Sequence, residues 1–495
     1  QSYAVTEEVL ETLPAKLVFN KRCVPIALEG ETLRIATSDP FELTAFDELR
    51  ILTGKTIDLV LANEKALRKF IRRHYGVAGD TLDALNNDDI DTPIDVSSDA
   101  SEDEIGQAQE ASVIKLVNDL LVEAIRERAT DIHIEPYEET LTIRYRIDGV
   151  LISAGVPKSV SRFRHAIISR LKIMANLNIA EKRRPQDGRI LFRHQADDFD
   201  LRVSVIPMLF GEGIVLRLLN KSAILLELED LGMASHIRER WDDLIARPHG
   251  ILLVTGPTGS GKSTTLYASL NRIVSETVKA ITVEDPVEYH VDGVNQIQVH
   301  HDVGLNFSTG LRAILRHDPD IVMIGEIRDQ ETAEAAVQAS LTGHLVFSTL
   351  HTNDAASATT RLLDMGVEPF LVSSSLEGVL AQRLVRRVCS ECSQAVPAKS
   401  IDFPPGFKPH TNDSFHIGRG CSECRQTGLR GRIGLFELLR ITEEIRTQIM
   451  ERANASTIGK AAEKAGDLTR LIDSGFEKIR AGQTTFAEVL RVTRT

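Results

Sequence analysis

Ile251-Leu-Leu-Val-Thr-Gly-Pro-Thr-Gly-Ser-Gly-Lys-Ser-Thr264 is the stretch from which the rest of this chain is read. Its first four residues, Ile251 to Val254, are a short continuous apolar run of the kind that forms a fully buried strand. From Thr264 to Val274 the pattern is helical. Between them lies Gly256-Pro257-Thr258-Gly259-Ser260-Gly261-Lys262-Ser263, a complete G-x-x-x-x-G-K-[ST] match in the strand–loop–helix setting that the motif requires. Glycines let successive backbone N–H groups converge on phosphate oxygens, and the helix N-terminus adds partial positive charge. Lys262 is expected to reach the terminal phosphates of a nucleotide and the Ser263 hydroxyl to hold Mg²⁺, with Gly256 to Thr264 as the cradle.

Hydrolysis also needs an acid to orient water. Ala280-Ile-Thr-Val283 is an apolar run closing on Glu284-Asp285-Pro286-Val-Glu288, and Ile321-Val-Met-Ile324 closes on Gly325-Glu326-Ile-Arg328-Asp329. In a parallel sheet, acids just past the strand carboxyl ends lie beside the phosphate loop. Glu284 and Glu326 are therefore the candidates, although Gly325 stands where a Walker B strand usually has Asp. A third strand, Leu345 to Leu350, is bracketed by His344 and His351. Imidazoles there either sense the γ-phosphate or tie neighbouring elements together, and the residues alone leave both readings open.

Four of the five cysteines form two pairs, Cys389-x-x-Cys392 and Cys421-x-x-Cys424. Two such knuckles converge naturally on a tetrahedral ion, and thiolates suit Zn²⁺. The stretch between them, with Phe403-Pro-Pro-Gly-Phe407 and Gly418-Arg-Gly420, is turn-rich and short of apolar residues, so zinc is expected to be its staple. A redox pair is the alternative, without the βαβ pattern that would favour it. Cys23 sits among apolar residues and reads as packing.

The 495 residues suggest about three domains. Lys plus Arg number 58 against 71 for Asp plus Glu, a net charge of −13. Between Arg73 and Lys115 there are acids and no Lys or Arg, so much of the excess describes one segment. The balance opposes a surface built for nucleic acid while allowing a local basic channel. No apolar run approaches a bilayer-spanning length, and Gln1-Ser2-Tyr3 opens no signal peptide. The missing initiator Met is expected of a chain that starts inside its gene, with an earlier domain absent. The cysteine usage fits a reducing cytoplasm.

Residues 1–76 read as a small α/β unit, with strands from Val24 to Ile35 around a Glu29-Gly30-Glu31 turn and a helix from Glu64 to Tyr75 bearing Leu67, Phe70 and Ile71 on one side. Residues 77–109 are polar and of one charge sign, and read as an extended linker. Residues 110–230 open with an amphipathic helix through Val113, Val117, Leu120 and Ala124. Leu141-Thr-Ile-Arg-Tyr-Arg-Ile-Asp148 then alternates, as does Phe199 to Val205, giving half-buried strands with one wet, arginine-bearing face.

These residues together resemble the secretion ATPases of bacterial type II secretion and type IV pilus assembly, from about residue 10 to the end. The markers are Thr130-Asp-Ile-His-Ile-Glu-Pro136, Arg144-Tyr-Arg-Ile-Asp-Gly149, Ala180-Glu-Lys-Arg-Arg-Pro-Gln-Asp-Gly-Arg189, the phosphate loop and Val283 to Tyr289. Further on come Asp318 to Asp329, Thr342 to Asn353, the cysteine pairs and Gly431-Arg-Ile-Gly-Leu-Phe-Glu437. The resemblance makes these Walker A, Asp-box, Walker B and His-box elements, and makes Gly325 a family feature. It implies that Glu284 is the catalytic base, that Glu326 acts on Mg²⁺ and its waters, and that His344 and His351 belong to the nucleotide site. Arg189 and Arg202 are similar to arginines that approach the phosphates, so hydrolysis would depend on ring assembly if they act across subunits. Phe163 to Lys182 looks closer to type II secretion than to pilus extension, and the cysteine pairs argue against the retraction ATPases. The acidic linker, Leu429 in place of a frequent Tyr, and the start of the chain depart from the pattern.

The implied architecture is an N-terminal docking unit (1–76), the linker (77–109), an α+β antiparallel-sheet domain (110–230), a RecA-like α/β core (231–388), a four-cysteine zinc subdomain (389–430) and a C-terminal helical region (431–495). The implied function is an ATP-driven cytoplasmic motor, using ATP, Mg²⁺ and Zn²⁺. It would form a hexameric ring at an inner-membrane platform and drive pseudopilus assembly and protein export, with pilus extension as the alternative. A nucleic-acid translocase is the competitor of another class, but 5% aromatics and net negative charge offer little for base stacking. A non-hydrolysing nucleotide-gated scaffold is the other.

Overall fold

The computed structural model describes residues 5–10, 12–75, 102–195, 197–220, 226–401, 403–404, 407–410 and 413–493. The chain divides into two compact units, Gln1–Ser222 and Ala223–Thr495.

The first unit begins with three strands, β1 (Cys23–Glu29), β2 (Thr32–Thr37) and β3 (Thr56–Leu61), in the order β1-β2-β3. β1 and β2 form a hairpin, whose turn needs a positive φ that Gly30 supplies at 59°. β2 and β3 are parallel, joined through the helix Leu43–Thr53. Leu33, Ile35, Leu49, Leu67 and Ile71 close the core, and Cys23 is buried in it as packing. The expected linker ends differently from its reading: residues 77–101 lie outside the described set, while the next helix already starts at Glu102 and runs to Arg126. Its buried stripe of Val113, Leu116, Val117, Leu120, Leu121 and Ala124 anchors the helix, and extending an existing helix upstream is far easier than nucleating one.

A six-stranded sheet follows: β4 (Asp131–Pro136), β5 (Leu141–Ile147), β6 (Val150–Ser153), β7 (Gln186–His194), β8 (Asp197–Met208) and β9 (Gly211–Asn220). The order is β6-β5-β4-β9-β8-β7 with antiparallel neighbours throughout. Ile132, Ile134, Ile143, Tyr145, Leu201, Val203, Ile214 and Leu216 bury one face with the helices Glu102–Arg126 and Arg164–Met174. Tyr145 donates its hydroxyl to the carbonyl of Leu120 at 2.9 Å. Lys172, fully buried, donates to Glu212 at 2.7 Å and to the Glu181 carbonyl at 2.8 Å, which satisfies a charge that would be costly alone.

The second unit is built on an eight-stranded sheet: β10 (Gly250–Thr255), β11 (Ala280–Glu284), β12 (Val294–Gln298), β13 (Ile321–Ile324), β14 (Leu345–Leu350), β15 (Leu376–Val388), β18 (Leu429–Arg440) and β19 (Leu468–Thr469). Its order is β12-β11-β13-β14-β10-β15-β18-β19. From β12 to β15 the strands are parallel; β10, β11, β13 and β14 are buried along their whole length, as strands covered on both faces are, while the edge strand β12 is only partly buried. One face packs Leu253, Ile324 and Val346 against Ala336 and Leu311, and the other packs Leu252 and Val254 against Trp241, Leu266 and Leu270.

Two boundaries shift. The sheet does not end at residue 388, and the region after 431 is not purely helical: β18 returns antiparallel along β15, and β19 pairs with β18. Residues 433–439 are buried without interruption, a pattern for a two-faced strand rather than an amphipathic helix. The cysteine-bearing segment is therefore an excursion from a long hairpin, with its own small ribbon of β16 (Ser393–Val396) and β17 (Phe415–Gly418). It is also less poor in core than its sequence implies. Phe403, Phe407 and Phe415 meet Phe486 in edge-on or tilted contacts and Phe407 also meets Phe476 edge-on, so the segment borrows its apolar partners from the C-terminal helices.

Candidate active site and cysteine cluster

Parallel pairing aligns β10, β11, β13 and β14 so that their carboxyl ends share one edge. Onto that edge the chain places Gly256, Glu284, Glu326 and His351. The phosphate loop leaves β10 through Gly256 at φ 149° and enters the helix Lys262–Ile273 through Gly261 at φ 91°. A Cβ at Gly256 would lie 2.6 Å from the carbonyl oxygen of Gln382, and one at Gly261 2.8 Å from its Nε2. Gln382 on β15 also accepts the Thr265 hydroxyl at 2.6 Å, so this buried amide holds the helix start and leaves no room for side chains at the two glycines. The sequence reading missed Gln382; only its placement on a neighbouring strand reveals it.

Lys262 Nζ donates to the carbonyls of Gly256 and Pro257 at 2.9 and 3.2 Å, within the arc of the loop. Burial, opposed by Glu326 and assisted by Arg383, holds the lysine pKa below its ordinary value. Ser260 Oγ is buried with no hydrogen-bond partner among the described residues, a donor that a phosphate oxygen would satisfy. The glycine arc, the lysine and this hydroxyl fit a nucleotide phosphate chain with its Mg²⁺.

Glu284 is 4% exposed. Its carboxylate accepts the Tyr267 hydroxyl, the Thr282 hydroxyl at 2.6 Å and Gln296 Nε2 at 3.1 Å. Burial and the adjacent Glu284 raise the Tyr267 pKa, so the phenol stays a donor. Tyr267 in turn accepts the backbone N–H of Glu288 at 3.3 Å, which fixes the turn from Glu284 to Glu288. Glu326 takes a hydrogen bond from Arg328 and faces His351 Nε2 at 3.4 Å. Gly325 has a steric reason: a Cβ there would sit 3.2 Å from the Phe307 ring and 3.4 Å from Glu284 Cα.

The two histidines separate. His351 follows β14 at the phosphate edge, but His344 precedes it at the opposite end, roughly 20 Å away along the strand. His344 Nδ1 contacts the Ala339 carbonyl at 2.8 Å and the Thr342 hydroxyl at 3.0 Å, at the end of the helix Gln330–Leu341. Within this chain His344 secures a helix end and is not part of the nucleotide site. The sequence could not separate the two roles, because bracketing a strand says nothing of which end carries the chemistry.

Arg189 and Arg202 lie in the first unit, in one cross-strand row of its sheet: Arg146, Asp131, Arg217, Arg202, Arg189. Arg189 is hydrogen-bonded to Asp200, and Arg217 reaches Asp131 at 3.0 Å. The row makes Arg217 a neighbour of Arg202 that the sequence reading passed over.

The four cysteine sulfurs lie within 4.8 Å of one another. Cys389 and Cys421 are 3.9 Å apart, Cys392 and Cys424 3.8 Å, and Cys421 and Cys424 3.7 Å. A zinc ion about 2.3 Å from each of four tetrahedral sulfurs requires edges of about 3.8 Å. The same spacing is far beyond a disulfide bond. Burial works against ionising Cys424, but the N–H groups of Cys421 and Gly428, at 3.1 and 3.2 Å, help lower the thiol to about 6. The donor set and its spacing fit Zn²⁺.

A lysine inside a glycine arc, an acid across from it and a parallel sheet beneath them define a P-loop nucleotide-hydrolysing enzyme. Residues 106–491 match the family of type II/IV secretion system proteins, and residues 1–81 match the MshEN domain. The chain belongs to that secretion family and is an ATPase. Among its relatives are the type II secretion system protein E of Pseudomonas aeruginosa, 47% identical over 93% of this chain and 92% of that one, and the type IV pilus assembly ATPase PilB of Myxococcus xanthus, 43% identical over 99% and 87%. The pilus retraction motor PilT with bound ADP aligns over 76% of this chain and 96% of that one, at TM-score 0.52 and 26% identity. The Legionella pneumophila ATPase DotB shares the fold, with TM-score 0.57, 21% identity, and 76% and 95% coverage.

Proposed function

We propose that the chain is the ATP-hydrolysing cytoplasmic motor of a type II secretion system, driving pseudopilus assembly and export of folded proteins from an inner-membrane platform. The observation that carries the reading is the shared edge of Lys262, Glu326 and His351, combined with relatedness to protein E along nearly the whole chain. Pilus extension is the second reading, favoured by the likeness to PilB.

In the mechanism, Lys262 and the loop N–H groups grip the β- and γ-phosphates. Ser263 and Glu326 would hold Mg²⁺, which when bound neutralises phosphate charge. His351, beside Glu326, would sense the terminal phosphate. An acid on the Glu284–Glu288 turn readies the attacking water. Glu284 is the expected acid, but its buried carboxylate is taken up by three donors, which makes it the better anchor; Glu288, at the end of the same turn, is the alternative we propose. Arg189 and Arg202 would act on the phosphates within an assembled hexamer, the N-terminal unit would dock on the membrane platform, and zinc would hold the four cysteines.

Phosphate release from Mg-ATP tests the core of this reading. Lys262→Ala is expected to reduce it by at least about a hundredfold. Complementation of a secretion-deficient strain, against one lacking pilus extension, separates the two branches. Nucleotide binding without any phosphate release would leave a gated scaffold, and stimulation by DNA would favour the translocase.

A further inference from the structure

The segment Gly431-Arg-Ile-Gly-Leu-Phe-Glu437 stands out in the sequence, yet the phosphate chemistry uses none of it. Its last residue, Glu437, lies in the buried C-terminal half of β18, opposite Ala381 of β15, and is 7% exposed. A carboxylate there is expensive unless it is fully hydrogen-bonded. Its two oxygens accept two backbone N–H groups from different parts of the unit: Ala355 at 2.7 Å and Leu471 at 3.2 Å. Ala355 closes the loop that begins with His351, and Leu471 opens the helix Leu471–Arg480. Arg383, two residues beyond Ala381 on β15, donates to the Asn353 carbonyl at 2.8 Å. Asp354 accepts the N–H of Ser357 at 2.7 Å. The loop 351–355 is thus held at three successive residues, and His351 is its end at the phosphate edge.

We infer that Glu437 is a positioning residue for hydrolysis: it locks the loop that presents His351 beside Glu326 and couples that loop to the C-terminal helix. This rests on the reading of His351 as a phosphate-facing group. Glu437→Gln keeps the shape but can accept only one of the two N–H groups. Misplacing a catalytic group by about an ångström costs up to about a hundredfold in rate.

The test is steady-state hydrolysis by the full chain, with nucleotide affinity measured separately by a fluorescent ATP analogue and folding followed by thermal melting. Glu437→Gln should lower kcat at least about tenfold and leave nucleotide affinity within about twofold. In a His351→Ala background it should lower kcat no further, because groups acting through one another are not additive. Ala355→Pro removes the donated hydrogen from the other side; Ala355 has φ −73°, which proline accepts, so it should slow turnover alike and serves if Glu437→Gln fails to fold. Unchanged kcat in Ala355→Pro, or multiplicative losses in the double variant, would overturn the inference. If His351→Ala alone retains full kcat, the reading of His351 falls first, and with it this coupling. If His351→Ala is slow while Glu437→Gln is not, only the coupling falls.

Discussion

At Gly325 a side chain would be crowded, because a Cβ would sit 3.2 Å from the Phe307 ring while already in contact with the β11 backbone at 3.4 Å. Gly325→Asp, which restores the more usual acid, should therefore lower the melting temperature, with about 1–3 kcal/mol of overpacking, and slow hydrolysis rather than enhance it. Hydrogen bonding in turn sets Glu284 apart from Glu288, four residues on. Glu284→Gln should disturb Tyr267 and lower thermal stability along with turnover, whereas Glu288→Gln should remove turnover with folding nearly intact. Paired melting and phosphate-release measurements check this, and the reverse pattern would return the base to Glu284. Lys262 and Glu326 were legible from spacing because the motif fixes their atoms close to a strand end. The burden on Glu284 was not, because its donors, Tyr267 and Gln296, come from a helix and a strand whose register the sequence does not state.

Among the elements, the C-terminal helix Phe486–Thr493 offers a pH-dependent attachment. Glu488 is almost fully buried, and burial alone would raise its pKa, but hydrogen bonds from Arg386 and Arg491 outweigh that and lower it from 4.5 to about 2. Folded stability from this carboxylate is complete above pH 4.5 and is lost as pH falls toward about 2. Melting temperature followed across that interval should fall more steeply in the wild type than in Glu488→Gln, and parallel curves would exclude the link. The cysteine knuckles give the second element-scale expectation. The purified chain should carry one zinc per copy by metal analysis, Cys421→Ser should lose it, and melting should shift down with the metal. The convergence of the four cysteines was readable because their Cys-x-x-Cys spacing is local. β18 was not readable as a core strand, because its partner β15 is separated from it by the whole cysteine excursion, and only the unbroken burial of residues 433–439 reveals the pairing.

For the whole molecule, the division at residue 222 sets the arginine row and the phosphate loop in different units. Arg202→Ala is expected to lower turnover while nucleotide affinity stays nearly unchanged, and specific activity should rise with protein concentration as rings form. A loss of affinity matching the loss of rate would assign Arg202 to binding alone. The fold class could be read in advance, since it rests on periodicity within continuous segments. How the C-terminal region completes the core sheet rests on contacts between distant segments, which no local pattern encodes.

β15 is thirteen residues long, and its course joins two chemistries. Gln382, near its middle, accepts the Thr265 hydroxyl at the start of the helix that follows the phosphate loop, and the strand ends at Val388, directly before Cys389, the first thiol of the four-cysteine cluster. An extended backbone is close to its greatest possible length and cannot absorb a pull by stretching. Apart from the irregularity between Arg386 and Val388, the strand therefore holds the amide and the first cysteine at a nearly fixed separation.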